Sequence, residues 1–451
     1  MKKKIDMLNG SILSALTRLA LPIMATSLIQ MAYNLTDMAW VSRVGAQAVA
    51  AVGTAGMYTW LSQGVAMLAK MGGQIKVAHS LGEEKPREAA VYAQGAIQMG
   101  IVFGILFAVV AVAFAKPLIG FFGLSDAVVI GGAESYLRIA CGGIVFSYLN
   151  AILTGIFTAQ GDSRTPFKAN FIGLAANMVL DPLLIFGFGP VPRMEAAGAA
   201  IATVTAQMIV TAVFVGAARK DFGFFGQVHL LSRTPWDYLN TMMRLGMPSA
   251  AQNLLYAGIS MVLTRFVASW GDLGVAAQRV GSQVESISWM TADGFAAAIN
   301  SFVGQNYGGK QYKRVKHGYF IATGVMFVWG IICSLVLIFL GEPIFRLFIN
   351  EPDIVPIGVS YLTVLGFSQM FMCIELTTVG ALSGMGKTFL CSVISIVFTS
   401  SRIPLAMILS RTALGLDGIW WAVSISSIVK GIIFFITFLT VSRKLTEGTR
   451  R

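Results

Sequence analysis

The chain has 451 residues, of which 56% are hydrophobic and only 12% charged, and its formal net charge is +12. Soluble domains carry about a quarter charged residues, so this composition excludes a water-facing globular surface. The basic residues fall in short loops between apolar stretches, where they report membrane topology instead of an affinity for nucleic acid.

A bilayer core about 30 Å thick takes roughly 20 residues of helix. Stretches of that length recur along the whole chain. They predict twelve spans near residues 12–41, 47–76, 88–115, 133–160, 166–190, 195–218, 238–268, 274–305, 316–341, 355–382, 389–411 and 416–441. Polar residues and glycines interrupt the second and eighth. The opening Met1-Lys2-Lys3-Lys4 resembles a signal peptide, but the apolar stretch behind it is too long and carries Gln30, Asn34 and Asp37. It is therefore expected to be a retained first helix.

Lys and Arg concentrate at both termini and in the even-numbered loops, for example Lys2–Lys4, Lys85, Arg87, Arg164, Arg219, Lys310, Arg314, Lys387 and Arg443. The opposite loops hold acids, among them Asp126, Glu195, Asp272, Glu351 and Asp417. This bias places both termini in the cytoplasm of a bacterial-type inner membrane. Cys141, Cys333, Cys373 and Cys391 lie in apolar stretches with no close pair, which argues against a disulfide or a metal site.

The chain also repeats itself. Pro22 matches Pro248, and Val49-Ala50-Ala51 matches Val275-Ala276-Ala277, both at an offset of 226. Gly161-Asp-Ser-Arg-Thr165 meets Gly384-Met-Gly-Lys-Thr388 at 223, Pro182 meets Pro404 at 222, and Gly198 meets Gly418 at 220. The expected fold is an all-α integral membrane protein. Twelve transmembrane helices form two pseudo-symmetric six-helix lobes, residues 1–226 and 227–451, as parallel repeats.

Charged side chains within hydrocarbon cost about 2.5–3.5 kcal/mol each, so acids inside spans are functional candidates. There are five: Asp37, Asp181, Glu285, Asp293 and Glu375. On the first helix Gln30, Tyr33, Asn34 and Asp37 line one face. On the fifth, Asn170, Asn177 and Asp181 repeat that spacing ahead of Pro182, and on the sixth Thr203 and Gln207 stand four apart. Together these stripes suit a carboxylate site that binds a proton, or one that coordinates sodium through hard oxygens. In the second half, Glu285 and Asp293 are expected to face broadly the same way. Arg279 competes as a structural partner of Glu285, while Arg265, Arg402 and Lys430 stand ready to neutralise the acids. Trp289, Met290, Met370 and Met372 would suit an adaptable drug-binding surface, although helix packing is the commoner role of such residues. With His79, His229 and His317 far apart, an integral-membrane enzyme is disfavoured.

These features together resemble the multidrug and toxic compound extrusion (MATE) family. The resemblance rests on Pro22, on Asn34-Leu-Thr-Asp37, Gln160-Gly-Asp-Ser-Arg-Thr-Pro166 and Asn177-Met-Val-Leu-Asp-Pro182, and on Gly198-Ala-Ala-Ile-Ala-Thr203, and it covers essentially the whole chain. It implies antiport of cationic, lipophilic small molecules against protons or sodium, through a V-shaped cavity with a rocker-type switch. One branch of the family couples through its N-terminal lobe, and Tyr33, Asp37, Asn177, Asp181 and Thr203 match that pattern. Asp37, Asn177, Asp181 and Thr203 would hold sodium, and Pro22 would be the hinge. Another branch uses an acid on the seventh helix, where this chain has Gln252, Asn253 and Tyr256, and Glu375 is displaced from that branch's tenth-helix acid. The resemblance also implies a monomer with no cofactor beyond the coupling ion, and small organic cations and the lipid bilayer as partners. A lipid-linked oligosaccharide flippase of the same superfamily is the alternative, kept open by Arg265, Arg279 and Arg402.

Overall fold

A computed structural model describes residues 5–123, 126–187, 192–348 and 351–448. Lys2–Lys4 therefore lie outside the described residues. The chain is helical throughout, with no strand among the described residues. The first repeat holds α1 (Ile12–Ser42), α2 (Ala46–Gly82), α3 (Pro86–Ala113), α4 (Ala115–Gly120), α5 (Ala127–Gly142), α6 (Ile144–Ala159), α7 (Arg164–Ile185) and α8 (Glu195–Lys220). The second holds α9 (Trp236–Ala268), α10 (Asp272–Gly308), α11 (Tyr312–Phe339), α12 (Gly341–Arg346), α13 (Val355–Gly366), α14 (Gln369–Gly384), α15 (Thr388–Ser400), α16 (Arg402–Leu409) and α17 (Leu416–Gly448).

The predicted spans each correspond to one helical rod. The fourth is bent by 45° between α5 and α6, and the tenth by 50° between α13 and α14. The eleventh is divided into α15 and α16 at Ser401. Seven described helical stretches are long and apolar enough to cross a membrane, and the two bent pairs bring the number to nine. The others, α2, α9 and α10, have 37, 33 and 37 residues, ample length for a span. Their polar residues keep them from qualifying on composition.

The internal repeat extends to helix ends. α2 and α10, α3 and α11, and α4 and α12 correspond residue for residue at an offset of 226. Gly45 (φ 137°) precedes α2 as Gly271 (φ 111°) precedes α10, a backbone region open chiefly to glycine. Past the ends of α2 and α10, Glu84 (φ 59°) and Lys310 (φ 56°) both turn left-handed, and Lys85 and Gln311 donate back to Ser80 and Asn306 at 2.8 Å.

One sequence pairing shifts. The left-handed glycine after α6 is Gly161 (φ 82°), and its counterpart after α14 is Gly386 (φ 77°), not Gly384. Asp162 donates to Phe157 and Lys387 to Leu382, both at 2.9 Å, so the same cap closes both helices at an offset of 225. The match of Gly198 to Gly418 holds. A Cβ on either would strike the backbone at the end of the preceding helix, at Leu184 and Leu409 respectively.

The chain divides into two compact units. One comprises Met1–Ile5 and Ala25–Ala250, the other Asp6–Met24 and Ala251–Arg451. This departs from the division expected at 226/227. The physical reason lies in α9, whose first turns pack on α2: a Cβ on Gly72 would meet the Met242 backbone, and one on Gly246 the Leu68 backbone. In the first unit one core gathers Val77, Tyr92, Ala96, Phe157 and Phe214, and another gathers Ala51, Ala55, Tyr136, Leu137 and Cys141. The second unit has its cores around Phe345, Leu362 and Trp420 and around Ile259, Val267 and Ala422.

Candidate functional site

In the first unit, α1 supplies Tyr33 and Asp37, α7 supplies Asn177 and Asp181, and α8 supplies Thr203. Spacings of four put each pair on one helical face. α7 runs on through Pro182, which has no N–H to return to Met178. The Tyr33 hydroxyl donates to Thr203 Oγ1 at 3.1 Å, which joins α1 to α8. Asn177 Nδ2 donates to Asp181 Oδ1 at 3.2 Å, and both residues are fully buried.

The charge of Asp37 acts on Asp181, and both carboxylates act on Tyr33 and Tyr136. Two acids and two tyrosines thus share one neighbourhood. Within it, Asp37 Oδ1, Asn177 Oδ1 and Asp181 Oδ2 are buried acceptors that receive no hydrogen bond. Each such group costs about 1–3 kcal/mol of lost hydration. Neither aspartate makes an ion pair among the described residues.

Two expected members stand differently. The Asn34 side chain lies outside the described residues. Gln207, one turn along α8 from Thr203, belongs to a neighbouring network: Asn150 Nδ2 donates to its Oε1 at 2.8 Å, and Thr211 Oγ1 donates to Asn150 Oδ1 at 2.8 Å. Asn150, Thr211 and Tyr136 are residues that sequence reasoning missed. A signal existed for Tyr136, because Ser135-Tyr136-Leu137 recurs as Ser360-Tyr361-Leu362 at an offset of 225. Pro22 lies half-buried inside α1.

The acids of the second unit are a different case. Glu285 accepts from the Tyr361 hydroxyl at 3.2 Å and from Gln369 Nε2 at 3.0 Å, and the Arg402 charge acts on it. Arg279 is exposed and is not its partner. Asp293 is also exposed. Eight residues turn a helix about 80° past two full turns, so Glu285 and Asp293 do not share a face as expected. Glu375 Oε1 forms an ion pair with Lys430 Nζ at 2.8 Å, with both side chains nearly out of solvent at 8% and 6% exposed. Arg402 is buried too, donating to Ser426 Oγ at 3.2 Å and Ser427 Oγ at 2.9 Å beneath the Tyr256 ring. Glu375 and Glu285 are therefore matched by the buried cations Lys430 and Arg402.

Among the described residues, no three or more His, Cys, Asp or Glu side chains are grouped to hold a metal ion. A sodium ion would instead rely on the mixed oxygens of Asp37, Asn177, Asp181 and Thr203, a donor set that suits a hard monovalent cation.

Twelve rods in two repeats, with buried polar sites inside each, define a multi-pass membrane transporter. A protein-family model described as MatE matches residues 22–183 and 248–408, one match to each repeat, and the chain belongs to that family. A probable multidrug resistance protein NorM of Thermotoga maritima is 26% identical over 437 residues, covering 94% of this chain and 92% of that one. An FAD transporter of Shewanella oneidensis is 23% identical over 446 residues, covering 96% and 95%. The fold matches the crystal structure of a MATE protein in its bent conformation with a TM-score of 0.92 at 22% identity, covering all of both chains. It matches the straight conformation at 0.90, also at 22% identity, covering 99% of this chain and 100% of that one.

Proposed function

We propose that this protein exports cationic, lipophilic organic compounds by alternating access, driven by inward flow of protons or sodium through the first-unit site. The observation that carries this reading is that Asp37 and Asp181 share a neighbourhood with no counter-cation among the described residues, and that an oxygen of each, with Asn177 Oδ1, is buried without a donor. A proton on one carboxyl supplies a missing donor, and a sodium ion takes up several of the oxygens at once. Either cation is bound by these residues and released when the site is exposed to the other side. Ion and drug must bind the two states with different affinity, because equal binding would shift neither. Pro22, which leaves the α1 ladder short of one hydrogen bond, is the place where α1 bends as the ion binds.

The relatives called multidrug resistance proteins favour toxic organic compounds as cargo. Arg402, committed to two serines, and the exposed Arg265 and Arg279 give little support to a flippase with a basic cavity. The protein acts as a monomer in a bacterial-type inner membrane, with both termini cytoplasmic.

The test is dye efflux from reconstituted vesicles, driven separately by a pH gradient and by a sodium gradient, for the wild type and Asp37→Asn. Efflux under one gradient and its loss in the correctly inserted variant are expected. Undiminished efflux by Asp37→Asn would remove Asp37 from the mechanism.

A further inference from the structure

The segment leading into α1 is fastened by side chains of the second unit. Arg314, in the first turn of α11, caps three carbonyls of one turn with one guanidinium: Nε donates to Met7 O at 3.2 Å, Nη2 to Asn9 O at 3.1 Å and Nη1 to Gly10 O at 2.8 Å. Asn306 Nδ2, near the end of α10, adds a second bond to Met7 O at 3.0 Å. The Met7 side chain is fully buried. Asp6 pre-shapes the turn by accepting from the N–H groups of Leu8 and Asn9, both at 3.0 Å. A planar fork suits this task, since an ammonium offers no fixed set of divergent donors.

The segment leading into α9 is fastened in the same manner within the first unit. Gln94 and Gln98 on α3 donate to Ser232 O at 2.9 and 2.7 Å, and Gln98 also donates to Leu230 O at 2.8 Å. Thr234 Oγ1 returns a bond to Gln98 Oε1 at 2.7 Å, and the His229 N–H donates to Gln94 Oε1 at 3.1 Å. α3 and α11 are repeat counterparts, so both lead-ins are held from the same helix of their repeat, although by residues at different positions along it.

Both helices then change unit at the same place. α1 passes between Met24 and Ala25, and α9 between Ala250 and Ala251, an offset of 226. Pro22 and Pro248 stand two residues ahead of those points. Each of these helices is thus held by its lead-in in one unit and by its body in the other.

We propose that Arg314 is a positioning residue for transport: by clamping residues 7–10 it fixes the start of α1, so that ion binding at Asp37 acts on a helix held at its far end. The Gln94–Gln98 clamp does the same for α9. Without the clamp, movement at Asp37 is spent on a free helix start and is not passed on. The inference rests on the ion-coupled reading above.

The test has two arms on the full-length protein. Hydrogen exchange in detergent should speed up at residues 7–10 in Arg314→Ala and at 229–234 in Gln94→Ala/Gln98→Ala. Dye efflux should fall at least tenfold in maximal rate in both, with the apparent KM for dye within twofold of wild type, and Arg314→Lys should recover only part of the rate. A merely structural role would lower the amount of inserted protein without splitting rate from KM. Freed residues 7–10 with wild-type efflux would overturn the proposal, as would unchanged exchange in Arg314→Ala. If wild-type vesicles transport no dye under either gradient, the transport reading fails while the exchange arm still tests the clamp.

Discussion

Replacing Lys430 by Met removes one half of the 2.8 Å ion pair to Glu375 in a place where both partners are nearly out of solvent. Two unit charges at that distance attract by about 6 kcal/mol at an effective dielectric constant of about 20. That attraction offsets a desolvation penalty of several kcal/mol per ion. The remaining Thr399 hydroxyl, 3.4 Å from Lys430 Nζ, is no substitute for a carboxylate. Breaking such a pair from one side costs about 3–5 kcal/mol, whereas replacing both members by apolar residues of similar size is neutral or stabilising. Lys430→Met and Glu375→Leu should each sharply lower the unfolding midpoint in detergent, and the double variant should return to within about 1 kcal/mol of wild type. Dye efflux by the double variant should remain, because the pair neutralises Glu375 and leaves it no part in ion exchange. Two results would refute this reasoning: single variants that cost no more than the double one, or a stable double variant that does not transport.

Tyr33→Phe should cost about 1 kcal/mol of stability, the net worth of its bond to Thr203, and Thr203→Val the same with no further loss when the two are combined, read by thermal unfolding. Gly72→Ala and Gly246→Ala should each cost about 1–3 kcal/mol by overpacking the contact of α2 with the start of α9, seen as a lower unfolding midpoint. Asp126 caps α5: its carboxyl is held below the ordinary aspartate value first by the Val128 N–H and then by Gln47. A lowered value means the cap is complete at neutral pH and fails as pH falls below about 4, so the protection of the Val128 N–H relative to its intrinsic exchange rate should fall there, and should already be low at pH 7 in Asp126→Ala.

The spans and their order were legible because twenty-residue apolar runs and a 226-residue repeat are one-dimensional signals. Helix faces were legible for the same reason, so the Tyr33–Asp37 and Asn177–Asp181 pairs could be drawn up before any coordinates. Partners across elements were legible only in part. Lys430 and Arg402 stood out as cations for the second-half acids, but that Lys430 meets Glu375 and that Tyr361 meets Glu285 follow from packing over long separations, which no periodicity encodes. The bends at Gly143 and at Phe367–Ser368 carry no proline, so hydropathy reads straight through them. The exchange of helix starts between units is equally silent, since a helix has the same pattern whichever body its first turns touch.

The two repeats set nearly the same scaffold around different charge. Tyr136 in α5 feels the charges of Asp37 and Asp181, and Tyr361 at the matching position of α13 donates to Glu285. In the second unit Arg402 and Lys430 provide two buried cations for the partly buried Glu285 and the buried Glu375, and the Arg402 charge reaches both Glu285 and Lys430. There the positive charge is covalently attached and cannot leave. In the first unit neither Asp37 nor Asp181 has an ion-pair partner among the described residues, and on the function proposed above the charge that satisfies them comes from solution and can return to it. A cycle driven by an ion gradient needs one site whose occupancy changes between the two sides of the membrane. A tethered cation removes that freedom, which favours the proposed coupling at Asp37 and Asp181 over Glu285 and Glu375, whose partners join helices of the second unit.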